Sequence, residues 1–106
     1  MIRLTIIRAS GAVEHHPPQA ELPTLEWLQE QVEGYIEAVP YLETYEDRPC
    51  RAWANEEGKL RGLAVNRGAT EVWREAIRPL GLALNDVLVG TVVIVSADSE
   101  RELRDA

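Results

Sequence analysis

The chain has 106 residues, 45% of them apolar, with a formal net charge of −7 and Cys50 as its single cysteine. This length suits one domain with one modest core, and no apolar run approaches the roughly 18 residues of a membrane helix. A negative surface works against binding a phosphate backbone, which makes nucleic acid a poor partner, and a lone cysteine excludes both an internal disulfide and a cysteine-based zinc cluster.

Residues 1–9 read as a strand, with Ile2, Leu4 and Ile6 alternating with Arg3, Thr5 and Ile7 in a β-branched run. Arg3 and Arg8 interrupt that stretch, which lacks the apolar core of a secretory signal, so a cytoplasmic location is expected. Ser10-Gly11 makes a turn, and residues 12–16 return as a short edge strand stopped by Pro17-Pro18, neither of which can donate to a ladder. A helix is expected over 23–32: Thr24 caps it, Glu26 complements its positive end, and Leu25, Leu28 and Val32 share one face. Gly34 should end it.

Residues 34–40 alternate and carry strand formers up to Pro40. Residues 41–49 mix four charges with two tyrosines without a sustained period, which reads as an irregular, mobile loop. Next, 50–55 and 59–65 flank a turn in which Gly58 takes the left-handed conformation, giving a hairpin. From Ala69 the apolar positions Val72, Trp73, Ala76, Ile77 and Leu80 follow helical spacing, while Glu71, Arg74, Glu75 and Arg78 point away. Burial of Val72, Trp73 and Ile77 should stabilise the core by about 1.5–3 kcal/mol each before ordering costs. Pro79 and Gly81 end this helix. Residues 86–90 then turn tightly into 91–95, whose near-continuous β-branched run suits a central strand covered on both faces. The expected fold is α+β, a mainly antiparallel sheet of five to six strands with two helices in the order β-(β)-α-β-β-β-α-β. It forms a single domain over 1–98, followed by a charged tail over 99–106 that forms a short helical turn or frays.

Several blocks recur in a recognisable order: Pro23-Thr24-Leu25-Glu26 with Leu28-Gln29, Val32-Glu33-Gly34-Tyr35-Ile36-Glu37, Asn55-Glu56-Glu57-Gly58-Lys59-Leu60, Leu63 with Asn66-Arg67 and Ala69-Thr70, and Asp86 with Val89-Gly90 and Val92-Val93. The ordered set resembles the domain of unknown function DUF3846, a family of small proteins carried by bacteria, phages and mobile elements. It spans roughly residues 20–95, and the first twenty residues add nothing to it. The resemblance implies a context rather than a chemistry, namely mobile DNA, where small acidic proteins bind and block a host component.

Asn66, Arg67 and Thr70 stand where a strand hands over to a helix. With the free N–H groups of that helix start they can hold a phosphate or carboxylate. The structural alternative is that Asn66 or Thr70 caps the helix while Arg67 pairs with Glu71 one turn on. Trp27 lies off the Leu25/Leu28 line and Trp53 lies on a hairpin strand, so either can pack in the core or anchor a partner. Tyr41 and Tyr45 offer a second contact surface on the acidic loop.

No catalytic constellation, metal site or cofactor is expected. Glu56 and Glu57, even with Glu33 or Glu37 near them, sit on a solvated hairpin tip, whereas a catalytic carboxylate pair needs burial to set its two members apart. His15 and His16 point to opposite faces of a strand, and Cys50 lacks a histidine partner motif. Two functions remain. The first is a non-enzymatic binding protein of phage or mobile-element type that engages a host protein through the acidic, tyrosine-bearing loop and the hairpin. The second is a small-molecule protein that captures a nucleotide-like anion at Asn66, Arg67 and Thr70. Sheet extension from the edge strand can also support a homo-oligomer.

Overall fold

The apolar β-branched runs at the two ends of the chain pair with each other and build the centre of the sheet. The computed structural model describes residues 1–104. Its strands are β1 (Ile2–Ile7), β2 (Val13–His15), β3 (Ile36–Ala38), β4 (Thr44–Tyr45), β5 (Arg48–Asn55) and β6 (Val92–Ala97). Its helices are α1 (Leu25–Val32), α2 (Arg67–Ile77) and α3 (Glu100–Arg104). The sheet runs β2-β1-β6-β5-β3, with β4 paired to β5, and every pairing is antiparallel. This is the expected α+β class. The continuous run Val92–Ala97 lies at its centre, buried at every position, as a strand covered on both faces requires.

Alternation along the strands sorts the core into two layers. On one face Ile7, Cys50, Ala52, Ala54, Val92 and Ile94 meet Ala69, Trp73 and Ile77 of α2. On the other, Ile2, Leu4, Ile6, Val93 and Val95 meet Leu28 and Val32 of α1 and Leu103 of α3. Complete burial of a side chain such as Val92, Val93 or Ile94 stabilises by about 1.5–3 kcal/mol before ordering costs, so the sheet centre is where most of the core energy lies. Helix α3 forms within the expected tail; residues 105 and 106 of that tail lie outside the described residues.

The expected caps form at both main helices. Thr24 accepts from the Trp27 N–H at 3.1 Å, and Asn66 caps α2, which begins two residues before Ala69. At the end of α1 it is Glu33, not Gly34, that turns left-handed, with φ 62°. Gly34 is needed for space instead: a Cβ there would stand 2.7 Å from Asn55 Nδ2. Leu25 and Leu80, expected on buried faces, are exposed. Leu25 sits in the first turn, before α1 reaches the sheet. Pro79 tightens Arg78–Leu80 into a 3-10 turn that carries Leu80 off the α2 stripe.

The hairpin over 50–55 and 59–65 does not form. Both edges of β5 are already occupied, one by β6 and the other by β3 and β4 in succession, so no ladder remains for a strand after Gly58. Residues 56–62 instead fold into consecutive turns, through Gly58 N–H to Asn55 O, Arg61 N–H to Glu57 O and Gly62 N–H to Lys59 O. Gly58 is not left-handed; Gly62 is. The tight turn expected over 86–90 is likewise replaced by an extended arm, where Val89 bridges Val65 and Leu88 O accepts from Asn66 N–H. The loop over 41–49 contains a hairpin of its own. Tyr45 pairs with Arg48 across Glu46-Asp47, both at positive φ, which is the type I′ geometry that matches sheet twist.

Candidate functional site

Asn66 is completely buried, and every polar group it carries is used within the fold. Its Nδ2 donates to Ile7 O at 2.8 Å and Gly90 O at 2.7 Å, while its Oδ1 accepts from Ala69 N–H at 3.0 Å. Thr70 Oγ1 donates to Asn66 O at 2.7 Å and accepts from Leu88 N–H at 3.0 Å. These two side chains therefore fasten the end of β1, the entry to β6 and the 86–90 arm to the start of α2. Arg67 is exposed on the first turn of α2 and forms no ion pair among the described residues, because Glu71 is held by Arg74. Of the three residues, Arg67 alone keeps its polar atoms turned to solvent.

Asn55 performs a similar task across the molecule. Its Nδ2 donates to Val32 O and Glu33 O at the end of α1, and its Oδ1 accepts from Glu57 N–H. Each asparagine thus joins a helix terminus to the sheet, and unpaired buried backbone groups are costly enough to demand such a partner.

The aromatic candidates separate. Trp53 and Trp27 are partly buried against the α1 face of the core, and the Trp27 ring meets His16 edge-on at 5.7 Å. His15 Nδ1 instead lies 3.2 Å from Thr5 Oγ1, so the neighbouring histidines serve different partners. Among the described residues, no three His, Cys, Asp or Glu side chains converge as metal ligands. Tyr41 is 60% exposed at a positive φ, whereas Tyr45 packs against the α2 core layer.

Tyr45 also lines an open groove of about 870 Å³ between the β4–β5 hairpin and α2. Tyr45, Pro49, Val72, Ala76 and Pro79 supply its apolar lining, and Glu43, Glu46, Asp47, Glu71, Glu75 and Glu100 its carboxylates, with Arg48 the single cation. Arg74, Arg78 and Arg51 pair with Glu71, Glu75 and Glu100 respectively. Glu43, Glu46 and Asp47, on the hairpin side, have no ion pair among the described residues. Periodicity could not reveal this groove, because it arises only when the I′ turn folds the hairpin toward α2.

Cys50 is fully buried, its thiol donating to Leu42 O at 3.6 Å. Burial pushes that thiol up to about 12, with Arg51 opposing and Glu43 and Glu100 reinforcing the shift. Burial and the Glu46 carboxylate likewise raise the Tyr45 hydroxyl to about 12, against the opposing bond from Thr5. Both groups hold their protons more tightly in the folded chain. Their contribution to stability is therefore complete below the unfolded values of roughly 8.5 and 10 and is lost as pH rises through the folded values. Alkaline titration followed by circular dichroism should show stability falling between about pH 8.5 and 12. At pH 8, iodoacetamide should label Cys50 at least about a hundredfold more slowly in the folded chain than in urea.

The model of the domain of unknown function (DUF3846) matches residues 5–105. The match takes in the second half of β1 and all of β2, ahead of the sequence blocks that begin at Pro23. No curated protein and no solved structure matches the chain. Since the match covers nearly the whole sequence, the chain belongs to the DUF3846 family.

Proposed function

We propose that this protein is a non-enzymatic binding protein that receives a basic segment of a partner protein in the groove between the β4–β5 hairpin and α2. The observation that carries this reading is the pairing of an apolar lining with a carboxylate-rich rim in one concavity. Tyr45, Val72 and Ala76 offer desolvation to the apolar side of an amphipathic partner, while Glu43, Glu46 and Asp47 offer its basic side charge that no ion pair among the described residues neutralises. The net charge of −7 adds long-range attraction, which raises the association rate more than the final affinity. The phage and mobile-element setting implied by the family resemblance makes a host protein the natural partner.

The test is capture from host lysate at low salt, followed by affinity measurement with the purified partner. Replacing both Glu43 and Glu46 by lysine reverses two exposed charges and leaves the apolar lining of the groove in place. The double variant should melt within about 2 °C of the parent, because surface changes of this kind are nearly neutral. It should bind the partner at least about tenfold more weakly, mainly through a slower association rate. A partner bound with unchanged affinity by this variant would place the contact elsewhere, and recovery of no specific partner would remove the reading's support.

A further inference from the structure

Strand β3 borders the sheet, and its register determines which backbone groups remain open. Glu37 pairs with Ala54, while Tyr35 O accepts from Glu56 N–H and Val39 N–H donates to Ala52 O, both at 2.9 Å. Residues 35, 37 and 39 therefore turn their backbone groups toward β5. In an antiparallel ladder the alternate residues Ile36 and Ala38 must turn theirs outward, away from β5. The strand is short and ends at the exposed Pro40, but two residues still present a donor and an acceptor each along an open edge.

A cavity of about 330 Å³ opens against this same strand, on the α2 side of the sheet. Val39, Ala54, Trp73 and Leu88 supply its apolar lining, and Gly58 adds no side chain, a Cβ there standing 2.8 Å from Val89 Cγ2. Four charged residues border the cavity. Lys59 and Asp86 neutralise each other in an ion pair, which leaves the Glu37 and Glu56 carboxylates without an ion pair among the described residues. Register places Glu37 on the same face as Ala54, two residues before Glu56, so the two carboxylates lie diagonally across adjacent strands.

We infer that the β3 edge and this cavity form one docking site for an extended, basic segment of a partner protein. The segment adds as a strand beside Ile36 and Ala38 and sends an arginine or lysine side chain into the cavity. There the apolar stem of that side chain lies along Val39 and Trp73, and its charged end meets Glu37 and Glu56. A second copy of this chain is the poorer occupant. Antiparallel pairing of two β3 strands about Glu37 sets the two Glu37 side chains opposite each other, and like charges in that position are destabilising. The site shares no lining residue with the hairpin groove, so it does not rest on the reading given above.

A library of nine-residue peptides randomised among Arg, Lys, Glu, Thr and Val, panned on the full chain, tests the inference. The retained peptides should be enriched in Arg or Lys at alternate positions, and the tightest of them should slow amide hydrogen exchange at Ile36 and Ala38 at least tenfold. Ala38→Pro removes an outward N–H that β5 does not use, and should abolish binding. The pair Glu37→Gln and Glu56→Gln leaves every backbone bond in place and should weaken binding at least tenfold. The inference fails if basic residues are not enriched, if protection falls elsewhere, or if the glutamine pair binds equally well. Protection of Ile36 and Ala38 that depends on protein concentration alone would assign the edge to a second copy and overturn it too.

Discussion

Replacing Asn66 by alanine should lower stability by about 3–5 kcal/mol and the thermal midpoint by more than about 10 °C, among the largest effects of any single change. The cap to Ala69 N–H accounts for about 1–2 kcal/mol of that loss. The remainder comes from stranding the Ile7 and Gly90 carbonyls, each of which loses its bond to Nδ2 in a site closed to water. Asn66→Asp separates the loss of the donor from the loss of the cap. Aspartate keeps the capping oxygen but turns an acceptor toward two carbonyls, so at neutral pH it should destabilise at least as much as alanine. Burial then raises the carboxyl pKa in the folded state, so stability should recover in part as pH falls toward about 4 and the acid regains a proton to donate. Thermal melts of both variants at pH 7 and pH 4.5 are the measurement. If Asn66 served only to hold an anion, its loss would leave the ligand-free chain nearly as stable as the parent. An alanine variant melting within about 2 °C of the parent would therefore overturn the structural role.

Trp73→Ala should cost a comparable amount, about 3–5 kcal/mol. The indole is only 7% exposed, lies in the α2 core layer, and donates from Nε1 to Pro40 O at 2.8 Å. Alanine both empties the site and leaves that carbonyl without its partner. Trp73→Phe separates the two contributions: most of the volume stays, the hydrogen bond goes, and the cost should fall to about 1–2 kcal/mol. Urea unfolding followed by circular dichroism measures both, with the slope expected to hold if the denatured state is unchanged. An alanine variant within about 1 kcal/mol of the parent would mean that the residue does not pack as described.

Elements with strong local signals were legible in the sequence. Helix α1 follows from Thr24 as cap and the Leu28/Val32 pair, and α2 from its apolar stripe. Strand β6 follows from an uninterrupted β-branched run that only a covered central strand can use. What misled was the segment 59–65, whose composition suits a strand but which finds no free ladder once β6, β3 and β4 have taken both edges of β5. Pairing is a competition among all strands. The I′ turn at Glu46-Asp47 was hidden for a different reason: two acidic residues hold positive φ there in place of the Asn-Gly pair that usually announces such a turn.

The candidate site divides along the same line. That Asn66 begins a helix is a local fact, written in its position before an amphipathic run. That all its hydrogen-bonding capacity is consumed is not local, since Ile7 lies 59 residues before it and Gly90 24 residues after. Sequence alone thus determined the fold class, the two main helices, the central strand and the acidic character of the surface, because each depends on periodicity or composition within a short window. Tertiary structure alone decided which polar groups remain open to a partner, where the carboxylates gather and which strands border the sheet among the described residues. Burial and free edges belong to the assembled sheet, and no window of the chain contains them.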